Sequence, residues 1–154
     1  MTGIALAVSE LPVELVEAHG LRARLHERGG EPEIRFLWRH RPAVLPVWSE
    51  GQLIVARWGC RRGESKVLPT TGWTWKATIE GGGWLQWEPE PVDIPATFAL
   101  DRGIWYAVRE GVRGLLVKDE TNKAVVYVLC QPATRYYEVM TRNDRMPVLI
   151  GETI

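Results

Sequence analysis

From Ile34 onward the chain is written in short extended runs, each cut off by glycine, proline or a charged turn. Fifteen glycines and ten prolines punctuate 154 residues, which leaves little room for long helices after the N-terminal segment. The runs are rich in β-branched and aromatic residues. They predict strands at Ile34–Trp38, Leu45–Trp48, Gln52–Trp58, Trp73–Ile79, Trp84–Trp87, Ala96–Leu100, Ile104–Val108, Gly114–Lys118 and Ala124–Leu129. Glu50-Gly51 and Gly81-Gly82-Gly83 read as hairpin-like turns. Before these runs, Val13, Val16, Leu21 and Leu25 recur near helical spacing, which predicts one amphipathic helix over Glu10 to Arg28, with Pro12 in its first turn and Gly29-Gly30 as its stop. A second helix is expected after Thr134, carrying Tyr136, Tyr137, Val139 and Met140. Many short strands with one N-terminal and one late helix predict an α+β fold built mainly on a twisted, partly closed antiparallel β-sheet. No repeat, linker or low-complexity segment divides the chain, so residues 1–154 read as a single domain.

Nineteen basic and nineteen acidic residues cancel, so no global field steers the protein toward nucleic acid or membrane, and any anion site must be a local patch. No apolar run approaches the roughly 20 residues of a membrane span, and no basic segment followed by an apolar stretch opens the chain. The expectation is therefore a cytoplasmic protein without a membrane partner. Cys60 and Cys130 are too few for a disulfide framework and read as reduced, buried small residues. His19, His26 and His40 lack metal-ligand spacing, and Gly63-Glu64-Ser65-Lys66 lacks that of a phosphate loop, so neither a metal nor a cofactor is expected.

Tryptophan is the compositional outlier, with eight copies against two phenylalanines. Several lie among cations. Arg35, Trp38, Arg39, His40 and Arg41 form one local basic cluster with an aromatic inside it, and Arg57, Arg61, Arg62 and Lys66 form a second near Trp58. Trp73 and Trp75 fall on one face of an expected strand, with Lys76 adjacent. Bases stack on indole rings for roughly 1–3 kcal/mol each, while flanking Arg or Lys holds the phosphates. These are the parts of a single-strand groove, although large aromatics also go to cores, and about half of the tryptophans are expected there.

Near the C-terminal end stands Asn143-Asp144-Arg145-Met146-Pro147-Val148-Leu149-Ile150, a string that no periodicity demands. It resembles the closing signature of the SOS response-associated peptidase (SRAP) family, His-Asp-Arg-Met-Pro-Val-Ile-Leu. Other segments follow in that family's order. Val55-Ala56-Arg57-Trp58-Gly59 is similar to its Arg-Trp-Gly strand, and Gly83-Trp84-Leu85-Gln86-Trp87 to the Gly-Phe-Tyr-Glu-Trp strand that carries a catalytic glutamate. Leu129 to Thr134 resembles Leu-Thr-Thr-Pro-Ala-Asn, Arg35-Phe36 through Pro46-Val47 resembles Arg-Tyr-Asn-Ile-Ala-Pro and the strand after it, and Met1-Thr2-Gly3 resembles Met-Cys-Gly. The chain is shorter than usual members, mainly between Trp58 and Trp84. Leu68-Pro69-Thr70-Thr71-Gly72 stands roughly where the family has Asn-Ala-Arg.

The resemblance implies binding to single-stranded DNA at abasic sites. In the family, a cysteine exposed by removal of the initiator Met crosslinks to the ring-opened sugar aldehyde, helped by a carboxylate and an imidazole. Carried over one position at a time, the cysteine becomes Thr2, the glutamate Gln86 and the histidine Asn143. Gln and Asn keep hydrogen bonding but exchange no proton at neutral pH, and the loss of general acid–base help costs typically about 10²–10⁴-fold. The small side chain of Thr2 still permits removal of Met1, leaving an amine that can form an imine beside a hydroxyl too weakly ionised to close a durable ring. The implied catalytic positions are thus Thr2, Gln86 and Asn143, with weakened chemistry. The candidate DNA contacts, read from the basic and aromatic clusters, are Arg35, Trp38, Arg39, Arg41, Arg57, Trp58, Trp73 and Trp75, with Arg145 added from the closing motif. Arg145 holds either a phosphate or a core carboxylate. The expected function is binding of single-stranded or abasic-site DNA with reduced or lost crosslinking. The alternatives are an active enzyme using the Thr2 amine, and a protein- or carbohydrate-interaction module on the same fold. No oligomeric state follows from the sequence.

Overall fold

The computed structural model describes residues 1–151. Among them run twelve strands: β1 (Gly3–Ala7), β2 (Leu25–Arg28), β3 (Glu31–Leu37), β4 (Val44–Ser49), β5 (Gln52–Trp58), β6 (Trp73–Trp75), β7 (Glu90–Pro95), β8 (Phe98–Asp101), β9 (Ile104–Ala107), β10 (Gly111–Lys118), β11 (Ala124–Pro132) and β12 (Arg145–Pro147). Three short helices accompany them, α1 (Val13–Ala18), α2 (Lys76–Glu80) and α3 (Arg135–Thr141). This is a mainly antiparallel α+β architecture.

One sheet has the order β2-β3-β1-β8-β9, antiparallel throughout. The other runs β10-β7-β4-β5-β11, and the pairing of β10 with β11 closes it into a five-stranded barrel. Closure removes the exposed edges that invite association. The long strand β11 organises the second sheet: it also takes β12 antiparallel and β5 and β6 parallel. Both its faces are covered, with Val126 and Val128 in the larger core and Val125, Tyr127 and Leu129 in a smaller one beside Cys60, Leu115 and Trp84. That double burial explains why β11 is a continuous apolar run rather than an alternating one. In the first sheet β1 is central, flanked by β3 and β8, and Ile4, Leu6, Ile34 and Phe36 are buried in the larger core. No helix among the described residues is long and apolar enough to cross a membrane, and Cys60 and Cys130 are free and buried.

Three expectations are corrected. The single helix over Glu10 to Arg28 is instead α1, a 3₁₀ turn at Leu21–Arg24 and strand β2. Gly20 adopts φ 61° and breaks the helix, and Leu25–Arg28 then pairs with Ile34–Glu31, so sheet formation overrides local helical spacing. Of the four apolar positions that suggested the helix, Val13 and Leu25 are exposed. The strand expected at Trp73–Ile79 stops at Trp75, and Lys76–Glu80 is α2. The strand expected at Trp84–Trp87 is a 3₁₀ turn over Leu85–Trp87. Residues three apart eclipse in that geometry. Trp84 and Trp87 therefore meet edge to face at 5.1 Å, with Trp84 also on Tyr127 at 4.7 Å. Strands β1, β2 and β7 carry no strong signal; in β7, Pro91 and Pro95 read as turn residues although both sit in the ladder with β10.

Candidate functional site

Strand β8 ends at Asp101, and Arg102-Gly103 turns the chain into β9 with φ values of 46° and 80°. Because β1 lies beside β8, the Thr2 N–H donates to Leu100 O at 2.7 Å, which sets Met1 against Asp101. The terminal ammonium lies 3.1 Å from Asp101 Oδ2, with both side chains 1% exposed. Two further elements converge there. The Thr134 hydroxyl caps α3 by accepting from the Tyr137 N–H, and the helix so anchored aims the Tyr137 hydroxyl at Asp101 Oδ2, 2.5 Å away. The Tyr106 hydroxyl on β9 stands 3.0 Å from that of Tyr137. Just past α3, Asn143 Nδ2 donates to both Asp101 oxygens at 3.2 and 3.1 Å, while its Oδ1 accepts from the Arg145 N–H at 3.1 Å. One buried carboxylate thus gathers an amine, a phenol and an amide.

The electrostatics follow from burial. Desolvation pulls the Met1 amine below its ordinary 8.0; Asp101 opposes this, and Arg145 adds to it. Desolvation also pushes the phenols of Tyr106 and Tyr137 well above their usual range, so both stay protonated and act as donors. Burial raises the Cys130 thiol as well, with Arg145 and the amine pulling the other way.

Beside this cluster opens a groove of about 320 Å³, lined by Thr2, Leu37, Trp38, Arg39 and Leu100. Its wall continues into a three-tryptophan cluster: Trp38 lies 5.4 Å from Trp58 and 5.0 Å from Trp73, and Trp58 lies 5.8 Å from Trp73. Gly72 makes this packing possible, because a Cβ there would fall 2.8 Å from both the Trp38 ring and Trp58 Nε1. Its carbonyl accepts the Trp58 indole N–H at 3.0 Å. Two guanidiniums cover the cluster, Arg61 at 4.3 Å over Trp38 and Arg145 at 5.5 Å over Trp73.

The structure brings Thr2, Trp38, Arg39, Trp58, Trp73, Asn143 and Arg145 into this one neighbourhood. Trp58 is wholly buried and supports the other rings from beneath. Arg145 makes no ion pair with a carboxylate among the described residues; it lies over Trp73. Thr2 is exposed at the groove, its hydroxyl 3.4 Å from Leu100 O, and its carbonyl accepts the Trp38 N–H at 2.9 Å. Asn143 is not the left-handed helix terminus that Asn favours; Arg142 takes that position with φ 61°.

The other candidates stand apart from the cluster or are otherwise engaged. Gln86 is exposed on the 3₁₀ turn and bonds to neither Thr2, Asn143 nor Asp101. Its side chain points away because the turn directs Trp84 and Trp87 inward together. Arg57 pairs with Asp119 at 3.1 Å and donates to Cys60 Sγ at 3.5 Å. Arg35 pairs with Glu33 at 2.9 Å and lies 5.1 Å over Trp105. Trp75 and Arg41 are exposed.

Met1, Asp101, Tyr106 and Tyr137 were not singled out from the sequence as site residues. Asp101 precedes Arg102-Gly103 and reads as an ordinary turn acid, and its partners Tyr137 and Asn143 lie 36 and 42 residues away along the chain. Compared with protein-family models, curated proteins and solved structures, the chain matches none of them.

Proposed function

We propose that this is an SRAP-like domain that binds single-stranded or abasic-site DNA in the cytoplasm, with its crosslinking chemistry reduced or lost. The observation that carries the reading is that Thr2 lines a groove walled by Trp38, while Asn143 and Arg145, from the other end of the chain, reach the adjoining Asp101 carboxylate and Trp73 ring. The half-buried Trp38 offers a ring for a base, and Arg39 beside it is exposed for a phosphate.

Loss of chemistry is supported by how the polar groups are engaged. The Met1 amine is enclosed on Asp101 and closed to an aldehyde, and the Asn143 amide donates to the same carboxylate, so neither is placed to move a proton for a substrate. Gln86 contributes nothing to the cluster.

The test is fluorescence anisotropy with a labelled oligonucleotide carrying a stable abasic analogue. Trp38→Ala weakens binding by about 1–3 kcal/mol, or roughly 5- to 150-fold, if a base stacks there. Unchanged affinity rules out the groove.

A second reading, an enzyme using the Thr2 amine, is favoured by one arrangement. Removal of Met1 would leave a free amine at the exposed Thr2, whose nitrogen lies 2.7 Å from the carbonyl of Leu100, the residue before Asp101. Borohydride reduction on true abasic DNA separates the two readings. A trapped adduct that disappears when the α-amine is blocked establishes the enzyme, and its absence leaves the binder.

A further inference from the structure

Three exposed arginines, Arg102, Arg135 and Arg142, pair with no carboxylate among the described residues. Two adjacent surface hollows of about 430 and 440 Å³ hold them. One is lined by Arg135 and Arg142 and the other by Arg102 and Arg142, and Val139 borders both. Glu138 is the only carboxylate lining either, so the surface keeps a positive balance. Exposed apolar groups line the same hollows, Val139 at 72% and Ile104 at 42% accessible, and Tyr136, next to Arg135 in the chain, is 64% accessible.

Local structure does not require an arginine at any of these positions. Arg102 and Arg142 both hold left-handed backbone, with φ 46° and 61°, where Asn or Gly is the ordinary residue. Arg135 is the first residue of α3, where the helix dipole disfavours a cation. Only Arg142, at the helix C-terminus, is favoured by the dipole. Position in the chain ties the trio to the site: Arg102 directly follows Asp101, Arg135 lies two residues before Tyr137, and Arg142 directly precedes Asn143.

We infer that the Arg102, Arg135 and Arg142 surface takes the phosphate backbone of a single strand running out of the Trp38 groove. The inference rests on the reading of that groove as a single-strand site and adds the path of the flanking nucleotides. Guanidiniums suit phosphate oxygens, and the exposed Tyr136, next to Arg135 in the chain, offers a face for a base.

The test compares the intact protein with the triple variant R102N/R135Q/R142N. Asn is at ease in left-handed backbone, so this variant keeps the fold, which circular dichroism checks. Binding is measured for oligothymidylates of about 4 and about 16 nucleotides, the span of single-strand site sizes, across a salt series. For the long probe, the salt slope of the variant falls by about 2, from about 0.7 for each of three phosphates. Between about 50 and 200 mM salt, the protein itself then loses about 20-fold more affinity than the variant does. The short probe binds both equally.

Equal slopes with the long probe overturn the arginine path while leaving the groove intact. Loss of the long probe in the triple variant, with Trp38→Ala binding both probes normally, confines binding to the arginine surface and overturns a strand path that starts in the groove. Arginine-dependent binding of polyglutamate or of phosphatidylserine vesicles, without binding of either oligonucleotide, overturns the inference in favour of an acidic protein or a membrane surface.

Discussion

Replacing Asp101 with Ala perturbs the site most sharply, because that carboxylate is buried and serves three donors at once. Its removal strands the buried Met1 ammonium and Tyr137 hydroxyl and frees the half-buried Asn143 amide. Breaking a buried ion pair from one side costs about 3–5 kcal/mol. At about 2–4 °C per kcal/mol for a chain of this size, the melting temperature falls by about 6–20 °C. The assay is urea and thermal unfolding on protein whose mass shows Met1 in place. The loss also depends on pH, and its sign is fixed. Burial lowers the folded amine below 8.0, so the folded chain binds fewer protons than the unfolded one, and stability rises as pH climbs through the folded value toward 8.0. The Asp101 contribution requires a charged amine. Asp101 raises the folded amine, so the gap between the protein and Asp101→Ala is widest below the variant's still lower amine value and narrows as pH rises to the protein's own. A loss under about 1 kcal/mol, or a gap that does not change with pH, refutes the ion pair as the organiser of the site.

Three further outcomes are expected. Gly72→Ala drives a Cβ to 2.8 Å from the rings of Trp38 and Trp58. It lowers stability by about 1–3 kcal/mol with a change in tryptophan emission, measured by denaturation followed in fluorescence. Gln86→Glu changes stability by less than about 0.5 kcal/mol and restores no borohydride-trapped adduct, since the side chain is exposed outside the Asp101 cluster. For Asp119, burial pushes the carboxyl up, but donors from Thr121 and Lys123 and the charge of Arg57 outweigh it and hold the value at about 2. Its stabilisation is present above the ordinary 3.8 and lost as pH falls through about 2, so acid titration of Asp119→Asn gives a flatter stability curve between those values.

Most strands were legible because their causes are local. The spacing gives Gln52–Trp58 to the residue, an apolar run marks the start of β11 at Ala124, and α3 starts after Thr134 as expected. The errors fell where a longer-range partner decides. Leu25–Arg28 is extended because β3 pairs with it, although its apolar spacing is helical. Trp84–Trp87 found no partner strand and coiled into a tight turn that buries Trp84 against Tyr127. Gln86 followed, turned outward by a three-residue period where a two-residue period was expected.

The candidate site divides along the same line. Residue types alone exclude a titratable group at Thr2, Gln86 and Asn143, and they supply tryptophans interleaved with arginines, since side-chain chemistry needs no fold to be known. They also establish the strand-rich make-up, because glycine and proline act within a few residues of themselves. Tertiary structure alone decided that Thr2 meets Leu100 across 98 residues, that the Met1 amine falls on Asp101, and that Asn143 reaches the same carboxylate from beyond α3. Those meetings depend on the pairing of β1 with β8 and of β12 with β11. Such registers are set by burying one face of each strand against a shared core, and no short window of sequence contains that core.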